Sequence, residues 1–251
     1  MIEVADRDGV AIIRMADGKA NAMSIESCDE LVARFEENRL SPARAAVITG
    51  SGTIFSAGVD LLRVLDGGRP YIRKLLPVLN AMLLAVFSHP KPVVAAINGH
   101  AIAGGCILAC AADRRLMARE TGRIGVPELL VGVAFPAVAI EIIRSATGPH
   151  QLEEAIFSAA TCPPAEALAC GLVHELSEPD MLLDRAVAEA GRLAALPAAA
   201  FALSKRQTRA PALERLQRVG QSIDSAVDEI WTAPETIERI RGYVARTFKK
   251  A

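Results

Sequence analysis

The sequence has little that would direct it to a membrane or to nucleic acid. Apolar residues make up 51% of its 251 positions, but no uninterrupted apolar run reaches the roughly 18 to 20 residues that a membrane-spanning helix needs. The formal net charge is -1 and only 4% of the residues are aromatic, so neither a basic surface nor a base-stacking platform is indicated. We therefore expect a soluble protein that binds neither a membrane nor nucleic acid.

The chain also lacks the cysteine patterns of disulfide-bonded or zinc-binding proteins. Its five cysteines are an odd set without a CxxC pair, which predicts reduced thiols that pack in the core and no metal site. The first residues, MIEVADRDGVAIIRM, carry acids and alternate as a strand does, unlike the basic start and apolar run of a signal peptide. These features predict a cytoplasmic location.

Strand and helix patterns alternate along the first part of the chain. Two β-branched segments around a DRDG turn predict a hairpin over residues 2–15, and residues 25–40 place apolar side chains on one helical face. RAAVITG (44–50) and PVVAAING (92–99) predict short buried strands, whereas the segments 52–59 and 120–132 are predicted to be loops. One helix is predicted to begin at Asp60, and a separate helix is predicted over residues 70–89. The alternation indicates an α/β fold in one domain, which becomes mostly helical from about residue 137.

Two glycine-containing junctions stand where a strand gives way to a helix, at Gly58 in SAGVDLL and at Gly104 and Gly105 in AIAGGCILAC. The first N–H groups of a helix lack partners within the helix, and glycine lets a ligand oxygen approach them. Two such amides could form an oxyanion hole if the loops converge. The alternative is that each glycine only allows a helix to pack close to its strand.

Four longer segments occur in the order of the signature segments of the crotonase, or enoyl-CoA hydratase/isomerase, superfamily. The sequence resembles that superfamily in FSAGVDL (55–61), PVVAAINGHAIAGGCILACAADRRLMA (92–118), GRIGVPELLVGV (122–133) and CPPAEALACGLVHEL (162–176). The resemblance implies an α/β spiral of repeated ββα units as the core, over residues 1–195. It also implies a helical section for trimerisation over residues 196–251 of the same domain.

The resemblance implies roles for particular residues. Val59 and Gly104 match the positions whose backbone N–H groups form the oxyanion hole for a thioester carbonyl. A second set matches the loops that bind coenzyme A (CoA): Ala20, Asn21, Ala22, Ala57 and Gly58. The implied ligand is an acyl-CoA thioester, so CoA is part of the substrate and no separate cofactor is expected. Asp113 and Arg115 match a structural D-x-R.

The chain departs from the superfamily's hydratases at one carboxylate. Glu128 matches their second glutamate, but Ile107 stands where the first would be. Hydration divides proton transfer between two carboxylates, whereas moving a 3-enoyl double bond to the 2 position needs one group to carry a proton from C2 to C4. The segment AIAGGCILAC, with an aliphatic residue after the cysteine, also resembles the Δ3,Δ2-enoyl-CoA isomerase branch of the superfamily. We therefore predict an isomerase with Glu128 as the proton shuttle, and an apolar Ile107 that raises the pKa of Glu128 by desolvation.

Other interpretations of these residues stay open. The chain could be a hydratase with an unrecognised second acid, or a thioester-binding protein whose chemistry has lapsed; hydrolysis of acyl-CoA is a weaker alternative. His100 and Ile107 are candidates for the acyl pocket, although a lone histidine is more often merely packed. Asp60 and Glu120, the nearest substitutes for the missing acid, are predicted to be structural. Candidates for binding the CoA phosphates are Lys19, Arg63, Lys249 and Lys250.

The C-terminal part carries apolar residues at helical spacing. One set is Ile223, Val227, Ile230 and Trp231, and a second is Ile237, Ile240, Val244 and Phe248. These faces could belong to the core of one chain. Members of the superfamily assemble as trimers or paired trimers through this region, so the resemblance implies a homotrimer or a dimer of trimers.

Overall fold

The computed structural model describes residues 1–18, 20–120 and 122–247. Ten strands lie in this part of the chain: β1 (Ile2–Arg7), β2 (Val10–Met15), β3 (Ala45–Gly50), β4 (Ile54–Ser56), β5 (Val93–Ile97), β6 (His100–Ile102), β7 (Arg114–Ala118), β8 (Ile124–Gly125), β9 (Thr161–Cys162) and β10 (Glu175–Ser177). They form two sheets, a six-stranded sheet in the order β1-β2-β3-β5-β7-β10 and a four-stranded sheet in the order β4-β6-β8-β9.

The helices follow the strands in a regular order. Ten are present in the described residues: α1 (Ile25–Leu40), α2 (Leu61–Phe87), α3 (Gly104–Ala111), α4 (Glu128–Val131), α5 (Ala137–Thr147), α6 (Pro149–Phe157), α7 (Pro164–Ala169), α8 (Leu182–Ala194), α9 (Ala198–Thr232) and α10 (Pro234–Thr247). The triplets β3-β4-α2, β5-β6-α3 and β7-β8-α4 each give one strand to each sheet and then a helix. This arrangement confirms the predicted α/β repeat of ββα units.

Two parts of the sequence-based assignment are wrong. The segments predicted as loops contain β4 and β8, because strands of only three and two residues are too short to show a periodicity of two. The helix predicted over residues 70–89 is joined to the one that begins after Asp60, so both belong to α2. Gly68, with φ 56° and ψ -151°, is the break that separates the two apolar patterns.

Three clusters of buried side chains hold the elements together. The central core includes Ile48, Leu83 and Leu108, and packs α2 and α3 against β3 and β5. A second cluster, with Val47 and Val187, packs α8 on the opposite face of the same sheet. The third, which we call the C-terminal core, joins α2 and α4 to α9 and α10. Because β3 is buried on both faces, its sequence is continuously apolar.

The C-terminal section is helical as predicted. Helix α9 begins at Ala198, after the turn that ends α8, and it packs on α2 and α5. Helix α10 then packs on α2 and α4. Phe248, Lys249 and Lys250 lie outside the described residues, so the end of the second predicted apolar face is not placed. Assembly through this section stays a prediction.

Helix α2 is the one described helix that could cross a membrane by its length and composition. A core helix can have the same length and composition, and nine apolar side chains of α2 are buried within the protein. Leu75, Leu79 and Leu83 are at most 4% exposed, and they pack in the central and C-terminal cores.

Candidate active site

The two glycine junctions meet in the folded chain. A Cβ atom added to Gly58 would lie 2.9 Å from the backbone N of Gly104 and 2.9 Å from the carbonyl O of Ile102. Gly58 also has φ +83°, a conformation that side chains disfavour. Close approach and backbone conformation therefore both require glycine at this position. The two glycine-containing loops therefore converge, a question that the sequence left open.

The N–H groups of Val59 and Gly104 are unpaired at this meeting point. Met23 pairs with the chain on both sides of Val59, because its N–H donates to Gly58 O at 2.8 Å and its O accepts from Asp60 N at 3.0 Å. Gly104 is the first residue of α3, so its N–H has no acceptor within the helix. Throughout residues 1–18, 20–120 and 122–247, no oxygen accepts from either N–H.

The start of α3 is held in a strained conformation. Ala103 has φ 54° and ψ -126°, which is a rare backbone conformation for a residue with a side chain. Its own N–H donates to Gly125 O at 2.9 Å, and its O accepts from Ile107 N at 3.1 Å. Gly105 serves packing, since a Cβ atom there would lie 2.2 Å from Ser56 O. Gly104 thus leaves an unpaired N–H at the start of α3, whereas Gly105 allows α3 to pack closely against Ser56.

Glu128 is the first residue of α4 and is buried beside this junction. Its side chain is 8% exposed, and its Oε2 atom has no hydrogen-bond partner in the described part of the chain. Burial raises the pKa of Glu128 from 4.5 to about 8, and the hydrogen bond of the carboxylate to its own backbone opposes this only in part. The predicted rise in the pKa of Glu128 by desolvation is thus present.

An apolar cavity joins Glu128 to the two free amides. It is lined by Val59, Gly104, Ile107 and Glu128 together with side chains of α2, α5, α9 and α10. Ile107 is 4% exposed, so the residue that replaces the first hydratase glutamate is part of the wall. Among the described lining residues, Glu128 is the only carboxylate. The site can therefore polarise a carbonyl group and move a proton in a low-dielectric environment.

The loops predicted to bind CoA lie side by side at the mouth of this cavity. Ala57 N donates to Ala20 O at 3.0 Å, and Ala57 lines the cavity. Asn21, with φ 46°, is 3% exposed, and its side-chain amide donates to Ile54 O at 2.8 Å. Asn21 therefore holds the two loops together through its side chain. Its neighbour Ala22 continues the same loop, and binding of CoA here stays a prediction.

Several predicted candidates are not brought to the cavity. His100 is exposed at the start of β6 and does not line the cavity, so the structure does not support its assignment to the acyl pocket. Asp60 caps α2 by accepting from the N–H groups of Leu62 and Arg63, as predicted. Arg63 forms a surface ion pair with Glu26, with 2.6 Å between its Nη1 atom and the Oε2 atom of the carboxylate. Lys19, like Lys249 and Lys250, lies outside the described residues.

Asp113 forms a buried ion-pair cluster away from the cavity. Its two carboxylate oxygens accept from Lys205 and Arg209, each at 2.7 Å, and one also accepts from Val93 N at 2.8 Å. The side chain of Arg115 donates to backbone carbonyls, including Leu172 O at 2.6 Å. These contacts tie α9 to the strands, which agrees with the structural interpretation of the D-x-R. The sequence analysis did not identify the role of Lys205.

The sequence analysis also missed cavity residues from the helical parts of the chain. Trp231 and Tyr243 line the cavity from α9 and α10, and Phe135 lines it just before α5. Trp231 had been placed on an apolar helical face, and it is indeed 4% exposed. Nothing local in the sequence shows that this face meets the oxyanion loops, which are more than a hundred positions away in the chain.

The cavity combines two unpaired amides with one buried carboxylate, Glu128, within a fold of repeated ββα units. Such a site suits an enzyme whose carbonyl substrate passes through an oxyanion. Residues 5–242 match the enoyl-CoA hydratase/isomerase family. The chain belongs to this family of acyl-CoA enzymes, as the sequence resemblance had predicted.

Individual relatives in the family carry both activities in their names. The chain is 34% identical over 215 residues to a probable enoyl-CoA hydratase, EchA17, of Mycobacterium avium, which covers 83% of this chain and 82% of the relative. It is 28% identical over 220 residues to the mitochondrial enoyl-CoA delta isomerase 1 of Rattus norvegicus, over 86% and 76% of the two chains. These names support the family, and both a hydratase and an isomerase are named among the relatives.

A solved structure supports the fold. The crystal structure of human mitochondrial Δ3-Δ2-enoyl-CoA isomerase is similar to the whole chain, with a TM-score of 0.94 over 99% of this chain and 98% of the other. The two sequences are 24% identical, so this likeness supports the fold and not the reaction.

Proposed function

We propose that this protein is an enoyl-CoA isomerase that moves a double bond from the 3 to the 2 position of an acyl-CoA thioester. The observation that carries the proposal is the pairing of one buried carboxylate, Glu128, with the N–H groups of Val59 and Gly104 around one apolar cavity. The reaction transfers one proton within the substrate and is redox-neutral. It needs no cofactor beyond the CoA that the substrate carries.

The thioester oxygen accepts hydrogen bonds from the N–H groups of Val59 and Gly104. The carboxylate of Glu128 removes a proton from C2, and the electron pair of that C–H bond forms a C1–C2 double bond while the carbonyl electrons move to oxygen. The protonated Glu128 then returns the proton to C4. The electrons of the C3–C4 double bond form that new C–H bond, and the electrons of the C1–C2 double bond move to make a C2–C3 double bond. An electron pair of the oxyanion restores the carbonyl group.

The electrostatics of the site favour the dienolate intermediate. Both N–H groups are unpaired before substrate binds, so they need no reorganisation when charge develops on oxygen. A single donor of this kind typically contributes about 100- to 1000-fold to the rate in acyl-transfer enzymes. The apolar wall at Ile107 keeps the dielectric constant low and strengthens these interactions.

Hydration of a 2-enoyl-CoA is the second candidate, because the Mycobacterium avium relative is named a probable hydratase. Water addition needs one group to activate water and another to protonate the substrate carbon. Within the described residues, the only other titratable side chain lining the cavity is Tyr243, which reaches it from α10. Tyr243 does not supply a second carboxylate, so isomerisation, which needs one group to carry the proton, suits this site better.

Ultraviolet absorbance distinguishes the two reactions. The purified protein is mixed separately with a medium-chain 3-enoyl-CoA and the matching 2-enoyl-CoA, whose conjugated double bond absorbs more strongly. We expect a rise with the 3-enoyl thioester and no change with the 2-enoyl thioester. A fall with the 2-enoyl thioester would replace the isomerase assignment with a hydratase, and binding without any change would indicate a protein that only binds thioesters.

Two matched substitutions test the role of Glu128. Glu128→Gln removes the base without changing the size of the side chain, so we expect isomerisation to fall by about 100- to 10,000-fold, the usual contribution of a positioned general base. Glu120→Gln makes the same chemical change at an exposed position and serves as the control. Full activity in Glu128→Gln would show that another group carries the proton.

We also propose that the chain assembles as a homotrimer or a dimer of trimers. On α9, Val227 and Trp231 are buried in the C-terminal core, whereas Ile223 and Ile230 are 40% and 44% exposed. The second pair gives α9 an apolar side that its own chain does not cover, which suits a contact between copies. Light scattering at micromolar concentration tests this, and a monomer mass would contradict it. The cytoplasmic location likewise stays a prediction.

A further inference from the structure

The lining of the active-site cavity has a mouth and a floor that differ in exposure. Ala57 is exposed, and Val59 and Tyr243 are half-buried, so these residues form the mouth. Leu83 and Ala139 are 1% and 0% exposed and form the floor on the side of the central core. The cavity thus begins at the predicted CoA loops and ends against the packed interior.

The two amides fix the direction in which an acyl chain would extend. A thioester oxygen bound by Val59 N–H lies at the mouth, next to the loop that carries Ala57. The CoA moiety is large and charged, so it stays on the solvent side. The hydrocarbon tail therefore extends toward the floor, where burial of apolar surface stabilises it.

Trp231 forms the part of the floor that α9 contributes. It is 4% exposed and belongs to the C-terminal core, whereas Leu83 and Ile107 belong to the central core across the cavity. Its indole N–H donates to Ala134 O at 2.8 Å, which fixes the orientation of the ring. A large aromatic side chain held by packing and a hydrogen bond is a firm end wall.

We infer that Trp231 closes the acyl pocket and sets the longest acyl chain that the protein accommodates. This inference rests on the proposed function, because it takes an acyl-CoA thioester as the ligand of the cavity. Affinity should rise about threefold to fourfold with each methylene group until the chain reaches the indole ring, and it should then stop rising. Trp231 acts on substrate specificity and takes no part in proton transfer.

Binding of saturated acyl-CoA thioesters tests the inference without any turnover. Dissociation constants are measured by titration calorimetry for even-numbered chains from butanoyl-CoA to dodecanoyl-CoA. Trp231→Leu opens space at the floor. We therefore expect affinity in this variant to keep rising for at least two more methylene groups before it levels off. The gain in affinity from those two added methylene groups should be about 9- to 16-fold, from about threefold to fourfold for each group.

Two further variants keep the test decisive. Val227→Ala is the matched control, because Val227 lies one turn earlier on α9, is equally buried in the C-terminal core and lies outside the cavity lining. Its limiting chain length should equal that of the unchanged protein. Ala139→Val narrows the floor from α5 and should shorten the limiting length, so the inference can be tested even if Trp231→Leu does not fold.

The outcomes separate this inference from the proposed function. If acyl-CoA thioesters bind and the limiting chain length of Trp231→Leu equals that of the unchanged protein, Trp231 does not close the pocket. The same conclusion follows if Val227→Ala shifts the limiting length as much as Trp231→Leu does. If Trp231→Leu does not fold, an unchanged limit in Ala139→Val overturns the placement of the floor. If no acyl-CoA of any length binds the unchanged protein, the ligand class in the proposed function is wrong. Thioester binding with the expected shift but without isomerisation would support the pocket and refute the reaction.

Discussion

The buried carboxyl group of Glu128 should make the stability of the protein depend on pH. Its Oε2 atom lacks a hydrogen-bond partner among the described residues, and burial raises its pKa from 4.5 to about 8. Glu128→Gln keeps the shape of the side chain and removes the titration. A comparison of the two proteins across pH therefore isolates the free energy of ionising this one group.

The sign of the effect follows from proton binding. Below pH 4.5 the carboxyl group is protonated in both the folded and the unfolded chain, so it adds no pH dependence. Between pH 4.5 and about 8 the unfolded chain releases this proton and the folded chain keeps it, so stability is lost as pH rises through this range. At about 1.4 kcal/mol for each pH unit between the two pKa values, the full loss is on the order of 5 kcal/mol.

Urea unfolding of both proteins at a series of pH values from acidic to alkaline gives this quantity directly. We expect the free energy of unfolding of the unchanged protein to fall relative to that of Glu128→Gln as pH rises, with most of the change below pH 8. A difference that stays constant within about 1 kcal/mol, near the error of such extrapolations, would refute the reasoning. It would show that water or a rearrangement satisfies the carboxylate.

The remaining predictions concern catalysis and packing. Because the base must be ionised, isomerase kcat/KM should rise about tenfold per pH unit up to the pKa of Glu128 at about 8; a flat pH-rate profile would count against it. Gly58→Ala places a methyl group 2.9 Å from the backbone N of Gly104, which should push the two loops apart and lower kcat/KM about 100-fold in steady-state assays. Unchanged kinetics would mean that the site still works when these two loops are farther apart. Asp113→Asn leaves Lys205 and Arg209 buried without a carboxylate and should cost about 3 to 5 kcal/mol in urea unfolding; a loss under 1 kcal/mol would show that water solvates the cations.

Sequence patterns predicted the parts of the fold that depend on local chemistry. The apolar run in β3 and the spacing of residues in α1 are local signals, and both elements lie close to where they were predicted. The short strand β4 was missed because three residues carry no period, and the break at Gly68 made α2 look like two helices. Strands of this kind form because neighbouring strands are already in place.

Only part of the candidate site could be predicted from the sequence, because some of its contacts join residues that are distant along the chain. Glu128 and the amides of Val59 and Gly104 lie in segments that resemble a family, so their positions could be taken from motif order. The contact of Gly58 with the start of α3 depends on how distant loops pack, and so does the presence of Trp231 in the cavity lining. His100 shows that proximity along the chain does not place a residue in the site, since it is four residues from Gly104 and yet does not line the cavity.

In the proposed mechanism the oxyanion donors belong to the backbone, and this has a consequence for how the protein can change over evolution. Every residue except proline carries an N–H, so a substitution at Val59 can alter the fit of the loop but rarely deletes the donor itself. The chemistry depends instead on side chains around the amides, above all at Ile107 and Glu128. One or two substitutions there could exchange one reaction for another while the means of stabilising the anion is inherited unchanged.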